Sequence, residues 1–259
     1  MNLNELLQEL NRICPFNIQE DFDNCGLQVG NGENTCTKAL LAFDFTEKIA
    51  DEAIEKKADV IITHHPFLFH GIKNVATSNW QGKMIYKLIE NNIALIALHT
   101  NLDKIDYGVN MTLGQNLNLK NLRTFLPEEN QIGLGAVGET PKTINFGEFT
   151  DLVKNKLSRP GIKFVGNPNT PINKVAVLGG AGAEFLSSAK TQKADVYISS
   201  DFKYHDAQLA QNIGICIIDA GHFGTEVGVV EALAKKLNQE IPHLKIEIST
   251  NMEDYWQYK

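Results

Sequence analysis

The chain has 259 residues, 43% of them hydrophobic and 21% charged, which is typical of a globular protein able to bury one large core or two smaller ones. Its formal net charge of −7 argues against non-specific nucleic-acid binding, which requires a basic face. No apolar run approaches the roughly 18 residues of a membrane span, and the four cysteines show no CxxC spacing, so we expect a cytoplasmic protein with free thiols.

The first predicted element is an amphipathic helix within MNLNELLQELNRICPF, where leucines recur at helical spacing. After it, β-branched runs alternate with amphipathic segments. The predicted strands are KALLAFD, DVIIT, IALIAL, GLGAVGE, IKFVG, KVAVLGG, DVYISS, IGICIID and KIEIS. The predicted helices are Thr46–Lys57, Gly82–Asn91, Gly108–Leu117, Gly147–Leu157, Glu184–Lys193, Tyr204–Asn212 and Thr225–Leu237. This alternation predicts an α/β fold with helices on both faces of largely buried sheets.

A short internal repeat indicates a duplication. KALLAF, a helix and ADVIITHHPF in the first half resemble KVAVLG, a helix and ADVYISSDF in the second, with twenty residues from Lys to Ala in both. We therefore predict two similar α/β domains, each a mixed sheet built on a βαβαβ unit. They comprise residues 1–125 and 126–224, and the segment from about 225 to 259 packs back onto the first. Ligands gather beyond the carboxyl ends of such strands, so a site is expected in the cleft between the domains.

Two adjacent histidines end the strand DVIIT. Pro66 cannot donate to a sheet ladder and pushes His65 toward an extended backbone, so the strand stops there. On a regular strand the imidazoles of His64 and His65 would point to opposite faces, whereas on an irregular extension they can coordinate two neighbouring ions. The alternative is two surface histidines flanking a turn, or one packed in the core.

Two later strand ends supply further donors. HTNLD contributes the hard oxygen ligand Asp103, although Asn-Leu-Asp before a helix is also an ordinary N-cap. In DAGHFGTE, glycines loosen the backbone, Thr225 can cap the next helix, His222 is left in the loop and Glu226 falls in the first helical turn. The alternative role of Glu226 is to complement the helix dipole.

Together these strand ends offer three imidazoles and two carboxylates: His64, His65, His222, Asp103 and Glu226. That donor set suits Zn, Fe, Mn or Ni better than Ca or Mg. Five ligands serve two ions if Glu226 bridges them. Two dications with two carboxylates leave a charge of about +2, which favours a reactive bridging hydroxide and an anionic substrate.

The same stretches carry a family resemblance. FDNCGLQVG (Phe22–Gly30), ITHHPFLF (Ile62–Phe69), HTNLD (His99–Asp103), SSDFKYHDA (Ser199–Ala207) and DAGHFGTE (Asp219–Glu226) resemble, in order, the signatures of the GTP cyclohydrolase 1 type 2 homologs, also called the Nif-three-like family. The resemblance implies a two-domain α/β protein with a dinuclear metal site between the domains, the same five ligands, and a toroidal homohexamer. About 45 residues separate Leu126 from Pro171, so the chain resembles the short form without the inserted middle domain.

The resemblance also implies a reaction. We expect a metal-dependent hydrolase in which a metal-bridging hydroxide opens a purine ring, with a nucleotide or other anionic small molecule as substrate. His205 and His99 are candidates for acid–base or orienting roles. The alternative is a non-catalytic ring assembly that carries metal or serves as a scaffold. LGGAGAEF (Leu178–Phe185) fits either phosphate at a helix N-terminus or a tight strand–helix turn, and no P-loop identifies the substrate.

Overall fold

The computed structural model of the protein describes residues 1–128 and 132–259. The described residues form two units. Unit 1 comprises Met1–Leu102 and Val230–Glu253, and unit 2 comprises Asp103–Val229 and Asp254–Lys259. Each unit contains one mixed β-sheet flanked by helices, which confirms the predicted α/β class.

Unit 1 contains a five-stranded sheet in the order β1-β4-β3-β2-β11. Its strands are β1 (Gly26–Val29), β2 (Lys38–Ala42), β3 (Val60–Thr63), β4 (Ala94–Ala97) and β11 (Lys245–Ile248). The helices of this part of the chain are α1 (Leu3–Ile13), α2 (Glu47–Glu55), α3 (Trp80–Glu90) and α4 (Thr100–Asp103). Strands β11, β2, β3 and β4 are parallel, and β1 pairs antiparallel with β4. The carboxyl ends of β2, β3 and β4 therefore lie side by side at one edge of the sheet.

Unit 2 contains a six-stranded sheet in the order β5-β6-β8-β9-β10-β7. Its strands are β5 (Lys120–Pro127), β6 (Gly133–Asn145), β7 (Lys163–Val165), β8 (Pro171–Ala181), β9 (Val196–Ser200) and β10 (Cys216–Asp219). Its helices are α5 (Val109–Asn116), α6 (Phe146–Lys156), α7 (Leu186–Thr191), α8 (Tyr204–Ile213) and α9 (His222–Glu226), followed in the chain by α10 (Gly228–Glu240). Strands β8, β9 and β10 are parallel, so their carboxyl ends also share one edge.

Corresponding hydrogen bonds in the two units support the predicted duplication. In unit 1 the Asp59 carboxylate accepts the Lys38 amide at 3.0 Å, and the Lys38 ammonium donates to the carbonyl of Lys56 at 2.5 Å. In unit 2 the Asp195 carboxylate accepts the Lys174 amide at 2.7 Å, and the Lys174 ammonium donates to the carbonyl of Gln192, also at 2.5 Å. A lysine and an aspartate at equivalent positions thus fix the strand–helix–strand connection in both units.

The helical region after DAGHF differs from the predicted single helix Thr225–Leu237. The backbone turns at Gly221 (φ 78°), α9 begins at His222, and α10 follows from Gly228. Thr225 does not cap a helix, because its hydroxyl donates to the carbonyls of Gly221 and His222 in the preceding turn. His222 therefore opens a helix instead of lying in the loop, and Glu226 closes that helix.

Residues 1–128 and 132–259 include no helix with the length and apolar character needed to cross a bilayer.

A buried carboxylate on α2, that of Glu52, organises the end of unit 1. Glu52 is 5% exposed and accepts hydrogen bonds from the Thr250 amide (3.0 Å), the Asn251 side chain (2.9 Å) and the Ser249 hydroxyl, and it pairs with Lys56 at 2.7 Å. Burial alone would raise the pKa of Glu52, but these contacts outweigh it and hold the pKa at about 2.

We expect Glu52 to make folding stability sensitive to acid. A carboxyl whose folded pKa is depressed stabilises the protein above its unfolded pKa of about 4.5, and that contribution is lost as the pH falls toward 2. Glu52→Gln should lower the free energy of unfolding by about 2 kcal/mol at pH 7 and flatten its decline below pH 4.5. Denaturant titrations at several pH values test this, with Glu55→Gln, an exposed position on the same helix, as the control.

Candidate metal centre

Three histidines of unit 1 lie together where β3 and β4 end. The amides of His64 and His65 both donate to the carbonyl of Phe43, at 3.1 and 3.2 Å, so the chain leaves the sheet by an irregular step instead of a regular strand. The two rings are consequently 4.8 Å apart between centroids, and the His99 ring lies 5.2 Å from His64 and 5.3 Å from His65. One ring nitrogen of each histidine lies within 4.8 Å of the others, a grouping that could hold a metal ion.

Each of these imidazoles has a fixed acceptor at Nδ1. His64 contacts the carbonyl of Leu98 at 3.0 Å, His65 the carboxylate of Asp44 at 2.7 Å, and His99 the carboxylate of Asp23 at 2.8 Å. A neutral imidazole that donates its Nδ1–H places the lone pair on Nε2. This is the usual arrangement of histidines that bind metals, because the outer acceptor fixes the tautomer and the ring orientation.

Asp23 ties the FDNC segment to this cluster. Besides His99, its carboxylate accepts the amide of Thr100 at 3.0 Å and the Thr100 hydroxyl. Burial acts to raise the pKa of Asp23, but the contacts with His99 and Thr100 prevail and hold it well below its usual range. The neighbouring Cys25 has its thiol pKa raised to about 12, chiefly by burial and by the charge of Asp23. Asp23 is therefore an ionised orienting group, and Cys25 is an unreactive thiol.

In unit 2, α9 carries two donors on one face. His222 and Glu226 are four residues apart, and Nε2 of the imidazole lies 3.0 Å from the Glu226 carboxylate. Nδ1 of His222 contacts Asp201, which follows β9, at 2.7 Å. Burial would lower the pKa of His222, but the hydrogen bonds to Asp201 and Glu226 raise it to about 10. The carboxylates of Asp201 and Glu226, one at each ring nitrogen, thus stabilise a positive charge on the His222 imidazole.

Asp103 lies next to this pair. One of its carboxylate oxygens is within 4.8 Å of a carboxylate oxygen of Glu226, which is 4% exposed. Asp103 is the last residue of α4, and the N-cap of α5 is Gly108, so Asp103 does not cap the following helix. A buried and a half-buried carboxylate at this distance repel each other unless a proton or a cation lies between them.

Arg159 supports the loop before α9. Its side chain is buried, and a Cβ atom placed on Gly224 would lie 2.4 Å from Cδ of Arg159. The guanidinium Nη2 donates to the Tyr258 hydroxyl at 2.7 Å and to the Asp254 carboxylate. The segment 254–259 thus fastens Arg159 against the glycines that flank His222.

A family model decides the relationship of the chain to known proteins. The model of Duf34/NIF3 (NGG1p interacting factor 3) matches residues 1–254. The chain belongs to the Duf34/NIF3 family. A relative from Clostridium perfringens named GTP cyclohydrolase 1 type 2 homolog is 35% identical over 243 residues, 93% of each chain. The crystal structure of the Staphylococcus aureus hypothetical protein SA1388 superimposes with a TM-score of 0.95 at 31% identity, covering 100% of this chain and 99% of the other.

Members of the Duf34/NIF3 family differ in length. The alignment with a Staphylococcus epidermidis relative covers both chains completely, spans 370 residues, and has 27% identity. That protein therefore contains residues without a counterpart in the 259 residues here, which agrees with the predicted short form.

The other two histidines named from the Duf34/NIF3 motifs lie in different surroundings. His99 belongs to the unit 1 cluster, next to both predicted ligands of that unit. His205 is exposed in the first turn of α8, with Nδ1 3.4 Å from the Gln208 side chain. The sequence did not reveal that Asp44 and Asp201 orient His65 and His222. Both acids precede their histidine by 21 residues and follow the neighbouring parallel strand, a spacing that could have indicated them.

The donors in each unit fit a divalent transition metal. Unit 1 offers imidazoles whose Nδ1 positions are bound to acidic or carbonyl acceptors, and unit 2 offers an imidazole with two adjacent carboxylates. Nitrogen and oxygen donors of this kind suit Zn, Fe, Mn or Ni. The outer acceptors complete the set, because they hold the rings in the orientation that a metal requires.

Proposed function

We propose that the protein is a metal-dependent hydrolase with two divalent ions held by His64 and His65 of unit 1 and by Asp103, His222 and Glu226 of unit 2. One observation carries this proposal: the imidazoles of His64, His65 and His99 each have Nδ1 bound to a carboxylate or carbonyl oxygen. Such fixed tautomers are needed where Nε2 binds metal and are not required of surface histidines.

The protein's own residues would prepare the site for a charged substrate. Three aspartates orient imidazoles: Asp23, Asp44 and Asp201. Their negative charge makes the attached rings more basic and hence stronger metal ligands. When bound, the two ions would supply Lewis acidity that lowers the pKa of water and stabilises negative charge. His99 and His205 are the proposed groups for proton transfer, because an imidazole can accept a proton at one ring nitrogen and donate one from the other.

The relatives suggest which reaction to test first. The name GTP cyclohydrolase 1 type 2 homolog, carried by the Clostridium perfringens relative, supports purine ring opening, in which one water opens the ring at C8 to a formamide and a second water releases formate. The proposal includes a toroidal homohexamer, in keeping with the resemblance of the sequence motifs.

The test combines metal analysis with a hydrolysis screen. Purified protein should contain about two equivalents of a first-row divalent metal and release formate from GTP or hydrolyse another member of a panel of nucleotides, phosphodiesters and cyclic amides. His65→Ala should abolish turnover without changing the assembly state, whereas His70→Ala, at an exposed histidine five residues away, should not. Protein that contains metal but hydrolyses no compound above background would instead be a metal carrier or a scaffold. Protein without metal would contradict both functions.

A further inference from the structure

The last six residues of the chain form an irregular segment of unit 2, although residues 230–253 before them belong to unit 1. Asp254–Lys259, all of which the structure describes, include no helix or strand. Trp256, the largest side chain of the segment, is 74% exposed and therefore buries little apolar surface. Polar contacts of Asp254 and Tyr258 with Arg159 fasten the segment to unit 2.

These two side chains bind the same guanidinium group. Nη2 of Arg159 donates to the Tyr258 hydroxyl at 2.7 Å and to the Asp254 carboxylate. The guanidinium carbon lies 5.4 Å from the centroid of the Tyr258 ring, within the range of a cation–π contact. The Arg159 side chain is only 4% exposed, and its Nε has no hydrogen-bond partner among the described residues. The orientation of the guanidinium therefore depends on its contacts with Asp254 and Tyr258 at Nη2.

Arg159 in turn packs against the backbone on both sides of His222. A Cβ atom on Gly224 would lie 2.4 Å from Cδ and 2.8 Å from Nε of Arg159. A Cβ atom on Gly221, where the chain turns with φ of 78°, would lie 3.2 Å from Nη2 of Arg159 and 3.3 Å from the Tyr258 hydroxyl. Because closely packed groups cannot overlap, a displacement of the guanidinium changes the space available to the backbone that carries His222.

Helix α9 needs support of this kind, because it has only five residues, His222–Glu226. A helix this short is not stable by itself, since most helical stability in proteins comes from packing. Its two proposed donors lie at its two ends, with Nε2 of His222 3.0 Å from the Glu226 carboxylate. Donors of a metal site must keep their positions to within roughly 0.5 Å. The surroundings of α9 therefore determine whether its donors are in place.

We propose that the segment Asp254–Lys259 positions the metal donors of α9, and that Arg159 is the residue through which it acts. The inference rests on the proposed function, because it takes His222 and Glu226 as metal donors. Arg159 is a positioning residue, which does not itself bind metal and acts through the backbone that carries the two donors. Loss of a contact at its Nη2 should therefore displace the donors while the sheet of unit 2 stays intact.

The test is a titration of the metal-stripped full chain with Co²⁺, followed by the visible absorption of the bound ion. Tyr258→Phe keeps the ring but removes one hydrogen bond. It should weaken Co²⁺ binding about tenfold and shift the absorption bands, because the donor geometry changes. Trp256→Phe, at an exposed position of the same segment, is the matched control and should bind Co²⁺ as the wild type does.

Chemical rescue separates positioning from a contribution to stability alone. Arg159→Ala leaves a space beside Asp254 and Tyr258 that a free guanidinium ion can occupy. Guanidinium at millimolar concentration, far below denaturing levels, should therefore restore the Co²⁺ affinity of Arg159→Ala and have no effect on the wild type. Tyr258→Phe, the milder change, decides the matter if Arg159→Ala does not fold.

The ring nitrogen chemical shifts of His222, measured by NMR in the metal-free protein, give a readout that needs no metal. Tyr258→Phe should change them, and Trp256→Phe should not. The inference is overturned if Tyr258→Phe retains wild-type Co²⁺ affinity and absorption, if guanidinium does not rescue a folded Arg159→Ala, or if the His222 shifts are unchanged.

The two proposals fail separately. A wild-type protein that binds no metal contradicts the proposed function, and the His222 shifts of the metal-free protein then decide whether the segment positions α9. A protein that binds metal and responds to Tyr258→Phe as expected, but hydrolyses nothing, contradicts only the hydrolase.

Discussion

Glu226→Ala is expected to remove most of the metal from both proposed sites at once, while the protein stays folded. Glu226 is 4% exposed, lies 3.0 Å from Nε2 of His222 and has a carboxylate oxygen within 4.8 Å of one of Asp103. It is thus next to both other proposed donors of unit 2, as a carboxylate that bridges two ions must be. Elemental analysis should show both equivalents reduced, with apparent affinity lower by tenfold or more for each.

The matched control is Glu231→Ala, an exposed glutamate on α10 five residues further along the chain. It removes the same charge and should retain wild-type metal content. Loss of only one equivalent in Glu226→Ala would show that Glu226 binds a single ion, and the bridging role would be wrong. Full retention of metal would remove Glu226 from the ligand set. Circular dichroism on both variants separates these outcomes from simple unfolding.

The buried strands were predictable because their side chains are apolar on both faces. Every residue of β3, β4 and β10 is buried, and these strands appear in the sequence as continuous runs such as VIIT and ALIA. The two missed strands have the opposite character. Strand β1 is an edge strand with exposed and half-buried positions, and β5 is an edge strand in which exposed polar residues such as Lys120 and Arg123 alternate with apolar ones. An edge strand is defined by its neighbour, which a local pattern does not reveal.

The candidate site was predictable only to the level of its proposed donors. His64 and His65 could be predicted as ligands because they are adjacent at the end of a strand. Their outer partners are set by tertiary structure: the acceptor of His64 is the carbonyl of Leu98, 34 residues away, and that of His99 is Asp23, 76 residues away. No local sequence rule connects such positions, so the acceptors became visible only in the fold.

Two glycines of LGGAGAEF are required for a packing reason that the sequence could not reveal. Gly179 and Gly180 belong to β8, and both back directly onto Glu226. A Cβ atom on Gly180 would lie 2.2 Å from Oε1 of Glu226 and 3.2 Å from Cε1 of His222, while the Gly180 amide contacts the Thr225 hydroxyl at 3.0 Å. The absence of a side chain at Gly180 therefore leaves the space that the Glu226 carboxylate occupies.

Gly180→Ala is accordingly expected to lower metal affinity by tenfold or more with little further loss of stability beyond backbone strain. Gly180 has φ of 67°, where alanine is disfavoured by about 1 kcal/mol. Gly214 has φ of 68°, and the nearest atom to its Cβ would be the Lys190 ammonium at 3.8 Å. Gly214→Ala thus introduces the same strain without a collision.

The pair of variants separates strain from displacement of a ligand. Both should unfold at similar denaturant concentrations, because the carboxylate of Glu226 is the end of a flexible side chain and can move aside. Only Gly180→Ala should lose metal, because the moved carboxylate no longer lies beside His222. Equal metal content in the two variants would mean that the position of Glu226 does not govern metal binding. A much larger loss of stability in Gly180→Ala would mean that the residues around Gly180 cannot adjust, and its metal content would then reflect unfolding.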